Sequence, residues 1–148
     1  EAACFVRRVI DKEVSALGTP SRVALSGYSQ GGCMSLMAGL NLPYTVGLVV
    51  SERGMLMKYT MDEYQARHRK TPQHMLLTAG GKDDVFLPAN QVEAKQWLAV
   101  QGFKVTFKLF GDLNHGDHHP GEMAFIRKAV VRSFHNADAR TERPRAKI

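Results

Sequence analysis

The 148-residue sequence is poor in cysteine, with only Cys4 and Cys33. Two thiols cannot supply a spaced metal quartet or a disulfide framework, so a zinc ribbon and a disulfide-stapled secreted scaffold are excluded, and a reducing, cytoplasmic setting is expected. Residues 23–51 lack any charged side chain. That run is interrupted by five glycines, Gln30, Asn41 and Pro43, which suits buried core better than a membrane span. A dense basic stripe is also missing. The net charge of +6 divides into +2 on residues 135–148 and +4 spread among acids over the rest. This is not the footprint of a nucleic-acid binder, and it allows at most peripheral contact with an anionic membrane. No internal repeat or signal-peptide pattern is present. The first residue is Glu1, not methionine, which leads us to expect further chain upstream.

What is present is an alternation of helical and strand patterns. At 44% hydrophobic, the chain can bury one sizeable core, expected over residues 1–134, with a basic, disordered tail over 135–148. Val6, Val9, Ile10 and Leu17 share a helical face that ends at Gly18-Thr19-Pro20-Ser21. Strands are predicted at Val23-Ala24-Leu25, Val46–Val50, His74–Ala79 and Lys104–Phe110, with helices over Gln30–Leu40, Ala89–Gln101 and Glu122–Phe134. Such repeated units imply an α/β fold: a mostly parallel sheet with helices on both faces, with its chemistry beyond the carboxyl ends of the strands.

Directly after the first strand stands Gly27-Tyr28-Ser29-Gln30-Gly31, of the form G-x-S-x-G. In a nucleophile elbow the serine occupies a strained strand-to-helix turn, and its flanking glycines avoid a clash. The Gln30 amide would open the helix and help bind an oxyanion. A serine needs a base, and the base an orienting carboxylate. Asp83 and Asp84 follow the third strand and His115 follows the fourth. All would project from one edge of the sheet, in the order Ser, Asp, His of the α/β-hydrolases. Taken singly, each residue also fits a solvated loop; it is the joint placement at three strand ends that favours chemistry.

Ile10-Asp11-Lys12-Glu13-Val14, Pro20-Ser21-Arg22-Val23 and Gly27-Tyr28-Ser29-Gln30-Gly31-Gly32 together resemble the phospholipase/carboxylesterase family, whose members include acyl-protein thioesterases. Asp84-Val85-Phe86-Leu87-Pro88 is similar to the family's D-x-x-[VL]-P segment. The resemblance runs from about Ile10 to Phe134. It implies an α/β-hydrolase cleaving carboxylic esters or thioesters without a cofactor, with Ser29 as nucleophile, His115 as base, Asp84 rather than Asp83 as the orienting acid, and the Gln30 amide on the oxyanion. The implied substrates are an acylated protein, a lysophospholipid or a small ester.

Two local departures stand out. Lys82 occupies a position where the family usually has an acid, and the step from Gly111 to His115 is one residue longer than usual. Nothing in residues 1–22 resembles the family's amino-terminal strands or its H-G-x-G-D-like loop, so the sequence resembles the carboxyl-terminal part of such an enzyme. The expected consequences are an open sheet edge at the first strand that allows self-association, and, as the alternative to catalysis, a non-catalytic remnant acting as an interaction protein.

Other clusters have weaker claims. Asn114-His115-Gly116-Asp117-His118-His119 is rich in metal-ligand types, but neighbouring loop residues rarely converge on one ion, and no metal is expected. Arg67-His68-Arg69-Lys70 reads as a solvated face. Met34, Met37, Met55, Met57 and Met61 could line an acyl pocket or simply fill the core.

Overall fold

The computed structural model describes residues 2–64 and 72–141. The Arg67–Lys70 cluster and residues 142–148 lie outside the described residues. Helix α1 (Ala2–Leu17) leads through a short 3-10 turn at Pro20–Arg22 into β1 (Ala24–Tyr28). There follow α2 (Gln30–Asn41), β2 (Leu48–Glu52), α3 (Lys58–Asp62), β3 (His74–Gly80), α4 (Pro88–Val100), β4 (Lys104–Phe110) and α5 (Pro120–Thr141). The strands form one parallel sheet in the order β1-β2-β3-β4.

Unbroken apolar strands are what a sheet covered on both faces requires. Val49, Met75 and Leu77 pack with Ile10, Leu36, Leu40, Ala94 and Leu98 in a core that takes residues from α1, α2 and α4. On the opposite face Leu48, Val50 and Leu76 meet Ile126 of α5. The packed stripe of α1 is Val6, Ile10 and Val14, whereas Val9 and Leu17 are exposed. The face expected from Val6, Val9, Ile10 and Leu17 is therefore rotated.

Two further expectations are corrected. The first strand begins one residue and ends three residues later than expected, and the second is shifted by two toward its carboxyl end; beyond Arg53 the chain forms α3, whose Met61 packs against the core. The last helix does not stop at Phe134. It continues through the first part of the supposed tail to Thr141, because Ala137 is buried and Asp138 pairs with Arg22 at 2.9 Å. Among the described residues no helix is long and apolar enough to cross a membrane.

The approach to β2 and β3 is fixed by one buried amide. Gln73 accepts from the Val46 amide at 2.8 Å and donates to the Val46 carbonyl at 3.1 Å, closing both backbone groups of a residue that is not yet in the ladder. Replacing Gln73 by alanine orphans both. The expected loss is about 1–3 kcal/mol per orphaned group, measured by urea unfolding with an unchanged slope of stability against denaturant.

Candidate active site

Parallel pairing places the carboxyl ends of all four strands on one edge, and the loops leaving that edge carry the predicted residues. Ser29, directly after β1, has φ 54 and ψ −122, a conformation that costs a non-glycine residue strain. It occupies the N-cap position of α2, yet its hydroxyl caps nothing. The Ser29 amide instead donates to the Glu52 carbonyl at 2.8 Å, fixing the turn to the end of β2.

Space around this turn explains the glycines, with one correction. A Cβ on Gly27 would come within 2.2 Å of the Gly31 carbonyl oxygen, so no side chain fits. At Gly31 a Cβ would meet nothing within 4 Å. The second crowded position is Gly32, where a Cβ would lie 2.8 Å from the Ser51 hydroxyl. It is Gly27 and Gly32, not Gly27 and Gly31, that allow α2 to start so close to the sheet.

The Ser29 Oγ lies 2.7 Å from His115 Nε2. On the other side of the ring, His115 Nδ1 lies 2.8 Å from an oxygen of Asp83, whose side chain is fully buried while the imidazole is 12% exposed. The expected partner, Asp84, is exposed at the loop surface. The assignment of Asp84 to the imidazole is thus corrected to Asp83. The reason lies in the turn: the Asp83 amide closes back on the Gly80 carbonyl, and the carboxylate accepts from the amides of Val85 at 3.0 Å and Phe86 at 2.8 Å. Gln91 of α4 adds a donor at 3.4 Å. This places the acid one residue earlier than the D-x-x-[VL]-P segment indicates, opposite a His loop that is one residue longer. The two loops are tied together by Gly81 N–H to the Phe110 carbonyl and Lys82 N–H to the Leu113 carbonyl. Lys82 itself pairs with Asp112 at 3.3 Å on the surface.

Burial alone would raise the Asp83 pKa. The hydrogen bond with His115 and those from Phe86 and Val85 together outweigh it and hold the carboxyl below its ordinary value, ready to accept from Nδ1–H. That bond fixes the tautomer that leaves Nε2 free to take a proton from Ser29.

Sequence reasoning missed the groups beneath the His loop. Arg53, at the end of β2, is buried with φ 48, and its guanidinium reaches the loop carbonyls and two carboxylates, Glu52 and Glu122, each at 3.1 Å. The available signal was a charged pair, Glu52-Arg53, directly after 29 uncharged residues, at the mouth of a buried strand. Elsewhere in the histidine-rich loop His118 is exposed, while His119, Asn114 and Asp117 make structural contacts. His119 accepts the Glu122 amide at 3.1 Å and packs its ring on Phe110, while Asn114 donates to Asp117 at 3.0 Å. Among the described residues no three of His, Cys, Asp and Glu converge on a common point.

A family model described as phospholipase/carboxylesterase matches residues 1–132. The chain belongs to this family. Acyl-protein thioesterase 1 of Gibberella zeae is 30% identical over 135 residues, covering 85% of this chain and 56% of the relative. Carboxylesterase SOBER1 of Arabidopsis thaliana is 31% identical over 136 residues, covering 89% of this chain and 58% of the relative. The crystal structure of SOBER1 superimposes with a TM-score of 0.80 at 24% identity, over 90% of this chain and 63% of that one, and shows the α/β-hydrolase fold. The chain thus spans little more than half the length of these curated relatives.

Two outcomes test the site. Asp83→Asn is expected to slow any Ser29-dependent reaction by about 10⁴-fold, the scale seen when a triad loses its tautomer control; Asp84→Asn should leave it within twofold. Rates of covalent labelling by a fluorophosphonate compare the two. Glu122 supplies the second. Burial pushes its carboxyl above the ordinary 4.5 against the pull of the Thr78 hydroxyl and the Arg53 charge. The folded state therefore holds that proton more tightly than the unfolded chain does, and stability falls as pH rises from 4.5 through the raised value. Urea unfolding across that interval should show the decline, and Glu122→Gln should flatten it.

Proposed function

We propose that this chain carries the catalytic machinery of a serine hydrolase acting on carboxylic esters or thioesters. The observation that carries the reading is the unbroken hydrogen-bonded line from Ser29 Oγ through His115 to the Asp83 carboxylate, with contacts of 2.7 and 2.8 Å.

The Ser29 oxygen attacks the acyl carbon as its proton passes to His115 Nε2. Negative charge develops on the carbonyl oxygen, and the amide of Gln30, at the start of α2, donates to it with the helix dipole behind it. The bond from carbon to the leaving oxygen or sulfur then breaks, and Nε2 returns its proton to that atom. Water, deprotonated by the same nitrogen, attacks the acyl-serine; the Ser29 oxygen leaves and recovers the proton. The Nδ1 proton stays on the imidazole throughout, donated to the Asp83 carboxylate, which stabilises the imidazolium. Family members take a second oxyanion donor from an H-G-x-G-D-like loop with no counterpart in residues 1–22, so Gln30 is the donor assigned here.

The substrate class follows from the family. One relative is named an acyl-protein thioesterase and another a carboxylesterase, which supports an acyl ester or thioester as substrate. The mechanism itself calls for no cofactor.

The test is covalent labelling of the full chain with a fluorophosphonate, followed by peptide mapping. Wild-type protein should carry the label on Ser29, and Ser29→Ala should abolish it. A label that persists in Ser29→Ala, or one mapped to another residue, sinks the assignment.

A further inference from the structure

We propose that Arg53 is a positioning residue that sets the height and angle of His115 by clamping the backbone of its loop; the inference rests on the hydrolase reading above for its functional meaning, but not for its geometry. The Arg53 side chain is 5% exposed. Its Nη1 donates to the carbonyls of Asn114 at 3.1 Å, His115 at 2.7 Å and Asp117 at 2.6 Å. One nitrogen with two hydrogens is thus shared among three carbonyls, all from one loop. Nη2 faces Glu52 at the end of β2 and Glu122 at the start of α5. The guanidinium lies 4.8 Å from the ring centroid of Tyr28, the residue before the nucleophile, and the Tyr28 hydroxyl donates to the same His115 carbonyl. The Arg53 amide is bonded to the Thr78 carbonyl on β3 at 3.0 Å.

A single residue therefore joins five elements: its cation reaches the ends of β1 and β2, the His loop and α5, and its backbone amide holds β3. Two considerations separate this from generic core support. A buried ion cluster is a weak source of net stability, because desolvation offsets most of the attraction. Loop carbonyls on a protein surface, moreover, could be satisfied by water at no such cost. What the cation adds is a fixed position for the His115 backbone, on which the 2.7 Å approach of Nε2 to Ser29 depends. Misplacement of a reacting group by about 1 Å costs on the order of 10²-fold in rate.

The φ of 48° at Arg53 is one that glycine adopts freely, so Arg53→Gly removes the guanidinium without adding backbone strain. Removing it alone would leave Glu122 ionised without its partner and could unfold the chain. The test variant is therefore Arg53→Gly with Glu122→Gln, beside Glu122→Gln alone, each in the full chain with thermal unfolding as a check on folding.

Two readouts are taken. The first is the low-field proton resonance of His115 Nδ1–H and the pH titration of its ring by NMR, neither of which requires catalysis. The second is the rate of Ser29 labelling by a fluorophosphonate. The clamp predicts that the double variant, still folded, loses or shifts the low-field resonance, changes the ring's titration and labels about 10²-fold more slowly, while Glu122→Gln keeps the resonance and labels within a few-fold of wild type. A double variant with wild-type resonance and titration overturns the clamp. If it does not fold, Arg53→Lys is used: a point charge cannot span the three carbonyls and two carboxylates, so the same loss is expected, and a wild-type resonance there overturns the proposal as well. If wild type is not labelled on Ser29, the hydrolase reading falls while the resonance still decides the clamp; if wild type is labelled and the variants match it in resonance and rate, the clamp alone falls.

Discussion

Burial of a parallel sheet on both faces is the constraint from which the rest of this molecule follows. Once every strand runs the same way, each must be reached by a crossover, and each crossover leaves from the same edge. Three loops are thereby delivered to one place, with Ser29 on the exit from β1, Asp83 on that from β3 and His115 on that from β4, although His115 lies 86 residues from Ser29 and 32 from Asp83 in sequence. The apolar strands contribute no chemistry. They remove the freedom that would otherwise have to be overcome to bring three polar side chains into line.

The loops on this edge are not held by apolar packing alone. Two of them have a polar anchor that is itself buried: the Asp83 carboxylate under the β3 loop, with Gln91 against it, and the Arg53 guanidinium under the β4 loop. The same edge has its exposed side, where Lys82 and Asp112 meet in solvent and contribute little. Polar contacts here divide by depth, the dry ones fixing geometry and the wet ones decorating it.

Much of this was legible in the sequence because it is written in periodicity. The fourth strand begins and ends where alternation placed it, at Lys104 and Phe110, and the elbow serine announced itself by the glycines around it. What periodicity does not carry is loop conformation. Asp83 and Asp84 are chemically identical neighbours, and only the turn closing on Gly80 decides which faces inward; a family segment matched by residue type selected the wrong one. The continuation of α5 past Phe134 was hidden for a related reason, since the Arg22–Asp138 pair joins residues 116 apart and leaves no local trace. Arg53 carries only the weak signal of its place after a long uncharged run, because a side chain that is buried by distant carbonyls looks, in sequence, like any other arginine.

The orientation of the Ser29 hydroxyl has a consequence for the evolution of the chain. Serine at an N-cap ordinarily satisfies an amide of the first helical turn, worth about 0.5–2 kcal/mol. Here the side chain is turned away to His115, and its own backbone is strained in doing so. The helix that supplies Leu36, Ala38 and Leu40 to the core therefore begins at a strained, uncapped residue, beside Gly27 and Gly32, which cannot be varied freely. Stability lost at such a place has to be recovered by substitutions elsewhere, so drift in this lineage should be tolerated best far from the elbow, on the outer faces of α4 and α5, and least along the first turn of α2.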